Sequence, residues 1–134
     1  MPIETMPIEV RVLAYAGLLQ FLQIIIYAIP ANLQLGPSYT AGPRDEPRAP
    51  QGIAGRLQRA LNNHFEGLIL FTLAVVVVVL GNASSALTEN AAWAYLASRV
   101  LYVPSYVSGI FMLRSLVWAV GFFATLVMIV VAVL

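Results

Sequence analysis

The chain has 134 residues, of which 60% are hydrophobic and only 10% charged; a soluble domain carries about 25% charged residues, so the composition excludes an ordinary water-soluble fold. The net charge of +1 advertises no basic surface, and no nucleic-acid partner is expected. Cysteine is absent and histidine occurs once, so disulfides and a protein thiol nucleophile are excluded and no metal site is expected.

Read from its start, the chain repeats MPIE at 1–4 and 6–9, and the first few residues are expected to be poorly ordered. Glu4 and Glu9 stand where a signal peptide would be positive. The apolar run from Val12 to Ile29 is longer than a signal-peptide core, so a retained anchor is expected.

A bilayer core of about 30 Å takes roughly 20 helical residues. Such segments run from about Val10 to Ile29 (closed by Pro30), Arg56 to Leu80 (closed by Gly81-Asn82), Ala91 to Gly109 and Leu113 to Leu134. The run Val75–Val79 has strand propensity, but an isolated strand leaves its backbone unsatisfied in lipid, so helix is expected there too. Between the first and second helices lies a loop, 31–55, with Pro37, Pro43, Pro47 and Pro50 and several glycines, in which no regular element is expected. It is either a lid or a linker. The other connections are short and make antiparallel neighbours. The expected fold is a single all-α membrane domain, a four-helix up-down bundle.

Every basic residue is arginine. Arg44, Arg48, Arg56 and Arg59 lie in or just after the long loop, and Arg114 follows the last connection, whereas the 81–90 connection carries only Glu89. The positive-inside rule puts the arginine-bearing ends in the cytoplasm and both termini on the opposite side. Trp93, Tyr95 and Trp118 suit interfacial positions, and Trp118 fits the bundle interior equally well.

Polar residues inside the membrane segments are the candidate site. Arg56, Arg59, Asn63 and Glu66 are spaced by three, four and three, which draws one stripe on one face of a helix. Arg99, Tyr102 and Tyr106 repeat the pattern on the next helix, and Arg114 with Ser115 opens the last one. An arginine at the centre of a membrane helix costs about 2.5–3.5 kcal/mol on insertion scales, so such groups pair or line a polar cavity. One reading is a structural network in which Glu66 pairs with Arg59 or Arg99. The other is an anion pocket, because Arg56, Arg59, Arg99 and Arg114 face a single nearby acid. His64 falls off the stripe and reads as an interface or subunit contact. Gln20 and Gln23 read as hydrogen-bonding partners between helices.

The run R-x-x-R-A-x-x-N-x-x-E, Arg56 through Glu66, resembles the signature of the MAPEG family (membrane-associated proteins in eicosanoid and glutathione metabolism). The stretch A-S-R-V-L-Y-V-P-S-Y-V-S-G-I-F-M-L-R-S-L-V-W resembles the third and fourth helices of its bacterial members. The resemblance implies a homotrimer in a bacterial inner membrane, with glutathione as co-substrate bound between subunits near the cytoplasmic face. It assigns Arg59, Asn63 and Glu66 to glutathione binding, with Arg56, Arg99, Tyr102 and Tyr106 beside them. It makes Arg114, next to Ser115, the group that stabilises the thiolate. The implied activity is transfer of glutathione to, or peroxide reduction of, a small lipophilic substrate. Gly55 stands where many eukaryotic members have an acid, Ile69 replaces a common proline, and the interval from Tyr106 to Arg114 is a residue shorter than in several mammalian enzymes. Other readings are a non-catalytic protein of the same fold binding lipid or anions, and a small multidrug-type transporter, which would have no use for grouped arginines.

Overall fold

The computed structural model describes residues 5–110 and 112–134; the poor order expected at the start concerns positions that lie outside these. The elements are α1 (Ile8–Leu35), the single turn α2 (Pro37–Thr40), α3 (Gly52–Leu80), α4 (Ala86–Ser108) and α5 (Leu113–Val133). No strand occurs among the described residues, and Val75–Val79 is helical. Three helices, α1, α3 and α5, are long and apolar enough to cross a membrane. α4 has 23 residues, about 35 Å at about 1.5 Å each, but it carries Glu89, Asn90 and Arg99 and is the least apolar.

Several boundaries differ from the sequence expectation. α1 does not stop at Pro30 but continues to Leu35. Proline removes one N–H from the ladder, the one that would reach Ile26 O, but the helix continues beyond it and Gly36 at φ 90° closes it. α3 starts at Gly52 rather than Arg56. α4 starts before Ala91 because Ser85 and Thr88 form a capping box, Thr88 N donating to Ser85 Oγ at 3.3 Å and Ser85 N to Thr88 Oγ1 at 2.8 Å. The irregular segment shrinks to 36–51 and, against expectation, includes the turn α2. It folds onto the end of α1: Gln34 exchanges hydrogen bonds with the backbone of Gln51, and Arg48 donates to Leu35 O at 3.3 Å.

Contacts along the helices fix their directions. Gln58 meets Tyr27, His64 meets Ala16, and Ser84 meets Glu9, so α3 runs antiparallel to α1. Arg56 meets Val107 and Asn63 meets Arg99, so α4 runs antiparallel to α3. α5 returns alongside α4, Gly121 lying against Ser98. The order is up-down-up-down, with both chain ends and Arg11 at one end of the bundle and Arg44, Arg48, Arg56, Arg59 and Arg114 at the other.

The core gathers Val12 and Ala16 from α1, Phe71, Ala74, Val75 and Val78 from α3, Ala91, Ala92 and Tyr95 from α4, and Met128 from α5. Between membrane helices close packing replaces the hydrophobic drive, and small residues let backbones approach. At Gly121 a Cβ would stand 2.5 Å from Ser98 Oγ, so glycine there lets α4 and α5 approach without displacing that hydroxyl from Tyr95 O. Tyr95, expected at the interface, is 2% exposed and stacks on Phe71 with ring centroids 3.9 Å apart. Trp93 is exposed, beside Tyr15. The outer surface carries Leu18, Phe21, Ile25, Ile69, Leu116 and Phe123 exposed, a surface suited to lipid rather than water.

Candidate functional site

The polar stripe of α3 faces the polar face of α4. Because the helices are antiparallel, steps of three or four upward on α3 match equal steps downward on α4, and the contacts form a ladder. Arg56 Nη1 donates to Val107 O at 2.8 Å. Arg59 Nε donates to the Tyr106 hydroxyl at 2.9 Å. Arg99 Nη2 donates to Asn63 Oδ1 at 2.9 Å, and its guanidinium lies 4.6 Å from the centre of the Tyr102 ring. The Tyr102 and Tyr106 rings are 5.8 Å apart, which joins the rungs.

The α4–α5 turn brings in the last arginine. Gly109 at φ 71° ends α4 and Met112 at φ 64° starts α5, a tight reversal. It sets the Arg114 guanidinium 4.8 Å from the centre of the Tyr106 ring, so the shorter interval before Arg114 still delivers it to the site. Tyr106 thus has Arg59 on its hydroxyl and Arg114 on its ring. Arg56, Tyr106, Arg114 and Ser115 line a cavity of about 340 Å³ at the arginine end. The loop residues 36–51 do not line it.

A second cavity, a groove of about 330 Å³, lies between α3, α4 and α5. Its polar end is Asn63, Glu66 and Arg99, and its apolar walls include Leu70, Trp118 and Phe122. Gly67 forms part of the lining; a Cβ there would stand 3.5 Å from the Tyr95 hydroxyl and 3.8 Å from Arg99 Nη1. Of the residues picked out by spacing, Arg56, Tyr106, Arg114 and Ser115 thus line one cavity and Asn63, Glu66 and Arg99 the other; Arg59 and Tyr102 line neither and connect the two sets through the Arg59–Tyr106 and Arg99–Tyr102 contacts.

The structural ion-pair reading does not hold. Glu66 has no hydrogen bond or ion pair among the described residues; the ion pair found among them is Arg48–Glu46 at 3.8 Å, in the loop. Glu66 projects outward on the exposed side of α3, while Arg99 turns inward, 2% exposed, and is held by neutral groups, Asn63, His64 and Tyr102. These neutral groups satisfy its Nε and Nη2 without a counter-anion. The basin is consequently cationic, with Arg56, Arg59, Arg99 and Arg114 around it and one unpaired acid at its edge.

His64 is not a surface contact. It is fully buried, its Nε2 3.1 Å from Ala16 O and its Nδ1 accepting from Arg99 Nε at 3.4 Å. Gln20 and Gln23 do not bridge helices: both are buried, and neither amide has a hydrogen-bond partner among the described residues. Gly55 has a local reason, since a Cβ there would stand 2.7 Å from Pro50 O, leaving no room for an acid. Ile69 is exposed on the lipid side. Glu9, which residue spacing does not single out, is fully buried and accepts from Ser84 Oγ at 2.8 Å and Thr88 Oγ1 at 2.7 Å. The signal for it was an acid in the first turn of an apolar helix, together with the Ser85–Thr88 cap. It lies at the end away from the arginines and fastens α1 to the start of α4. No cluster of His, Asp and Glu suited to a metal occurs among the described residues.

The MAPEG family model matches residues 12–134, and the chain belongs to that family. No curated protein and no solved structure matches it.

Proposed function

We propose that this MAPEG member is a membrane-bound, glutathione-dependent transferase or peroxidase of the bacterial type, acting on lipophilic electrophiles as a homotrimer. The observation that carries the reading is the gathering of four guanidiniums, Arg56, Arg59, Arg99 and Arg114, with no ion-pair partner among the described residues, along a ladder that ends at a largely apolar groove. Glutathione is a matching ligand: its two carboxylates suit the forks of arginine, and its ammonium suits a free carboxylate such as Glu66. Arg56, Arg59, Asn63, Arg99, Tyr102 and Tyr106 would bind and orient it. Arg114, with Ser115 beside it, would stand at the sulfur.

A thiol with an ordinary pKa of about 8.5 is mostly protonated at neutral pH. A neighbouring guanidinium favours the thiolate, which is the nucleophile. In conjugation the thiolate sulfur forms a bond to the electrophilic carbon and the leaving group departs with its electron pair. In peroxide reduction two glutathiones are oxidised to the disulfide while the peroxide is reduced to alcohol and water. The Leu70, Trp118 and Phe122 walls give a lipid-soluble substrate an apolar approach from the side.

Trimer assembly is supported by Arg59 and Glu66, which are exposed on the single chain at membrane-helix positions where lipid is a poor neighbour and a second subunit a good one. α4 is read as the fourth span, since it packs between spanning helices. The arginine end would face the cytoplasm of an inner membrane, with both termini outside.

The test is glutathione titration of the detergent-solubilised protein, following thiolate by ultraviolet difference absorbance near neutral pH. A saturable signal that Arg114→Ala abolishes, with affinity largely kept, is the expected result. Binding without thiolate would favour a non-catalytic anion-binding protein of the same fold. No binding would end the glutathione reading.

A further inference from the structure

Of the buried groups that the proposed chemistry leaves unused, His64 has the most specific surroundings. It sits on α3 with α1 on one side and α4 on the other. Its Nε2 is 3.1 Å from the carbonyl of Ala16 and its Nδ1 is 3.4 Å from Arg99 Nε. The partners decide the ring's protons: a carbonyl only accepts, so Nε2 carries hydrogen, and a guanidinium only donates, so Nδ1 is bare. A neutral ring can hold a guanidinium without adding charge beside it.

Arg99 is thereby divided. Its Nε goes to His64, its Nη2 to Asn63 Oδ1 at 2.9 Å, and the Tyr102 ring lies against its plane. Nη1 has no hydrogen-bond partner among the described residues and lies next to Gly67, a residue of the groove lining. With glycine at 67 no side chain lies over that nitrogen, whereas a Cβ there would touch it at 3.8 Å; Asn63 and Glu66 flank the same end of the groove.

We infer that His64 is a positioning residue, which anchors Arg99 to the backbone of α1 and so presents Arg99 Nη1 to a carboxylate entering the groove. The carboxylate's identity as one of glutathione's rests on the function proposed above; the anchoring does not. Gly67 and Asn63 complete the device, one by leaving Nη1 open and the other by occupying Nη2. Such an arrangement fixes a long, flexible side chain before the ligand arrives, which reduces the ordering needed on binding.

The experiment uses the full chain in detergent with ¹⁵N-labelled histidine and arginine. Histidine occurs once, so its ring signals need no assignment. The expected wild-type ring is protonated at Nε2 and bare at Nδ1 at neutral pH; protonation at Nδ1 overturns the proposal, with no substitution needed. The Arg99 Nε–H signal, identified by its disappearance in Arg99→Lys, is expected to exchange slowly in wild type. It should exchange rapidly in His64→Leu and slowly again in His64→Asn, whose carbonyl oxygen replaces Nδ1 as acceptor. Equal exchange in the leucine variant and wild type overturns the anchoring. Glutathione affinity is expected to fall roughly tenfold in His64→Leu and to recover most of that in His64→Asn, as for the loss and return of one hydrogen bond to a charged group. Undiminished affinity in His64→Leu overturns the positioning role. Where wild type itself binds no glutathione, the proposed function fails and the arginine exchange alone decides the anchoring.

Discussion

Replacing Glu66 by glutamine separates the two roles a membrane carboxylate can have. The substitution keeps shape and removes charge. Glu66 has no hydrogen bond or ion pair among the described residues and lies exposed at the polar end of the groove. The fold therefore loses no contact, and stability should stay within about 0.5 kcal/mol of wild type, as for substitutions remote from any buried network. A ligand ammonium held by this carboxylate loses one charge-assisted hydrogen bond, about 1.5–3 kcal/mol. At about 1.4 kcal/mol per tenfold, that is roughly a 10- to 100-fold weaker Kd. Isothermal titration with glutathione, and with a glutathione analogue lacking the amino group, reads the effect. The analogue should bind wild type and variant equally, since it presents no cation. An unchanged glutathione affinity, or an equal loss for the analogue, refutes the assignment. A marked fall in thermal stability refutes the absence of an internal partner.

Further outcomes follow from the ends of the helices. Thr88→Val removes the hydroxyl that donates to buried Glu9 at 2.7 Å and accepts from Ser85 N at 2.8 Å; a lost cap and an under-satisfied carboxyl together should cost about 2 kcal/mol or more in a detergent unfolding titration. Glutathione affinity of the folded fraction should be unaffected, because Glu9 and the arginine basin lie at opposite ends. Gly109→Ala puts a side chain at φ +71°, which costs about 1 kcal/mol, and sets its Cβ 3.3 Å from Arg56 Nη1. It should lower thermal stability and weaken glutathione binding together, through displacement of Arg56 from Val107 O; an unshifted melting curve would contradict the strained turn.

Much of this protein was legible without coordinates. Composition placed it in a membrane, because so few charged residues cannot solvate a domain of this length in water. Helix periodicity put Arg56, Arg59, Asn63 and Glu66 on one face, and Arg99, Tyr102 and Tyr106 on another, because 3.6 residues per turn is fixed by the backbone alone. What spacing does not contain is the rotation of each helix about its axis and the partner opposite each rung. Those came from packing: α3 turns Glu66 outward and His64 inward, so the expected Glu66–arginine pairs are replaced by Arg59–Tyr106 and by Arg99 held between Asn63 and His64. Helix ends were likewise decided by groups distant from the simple breaker rules. α1 continues past Pro30 until Gly36 at φ 90° closes it, and Ser85 with Thr88 starts α4 early while Thr88 also reaches Glu9, far away in sequence. Sequence thus determined which side chains would be polar within the membrane and on which faces they lie. The tertiary structure alone decided which of them satisfy one another and which, like Glu66 and Arg99 Nη1, are left with capacity for a ligand.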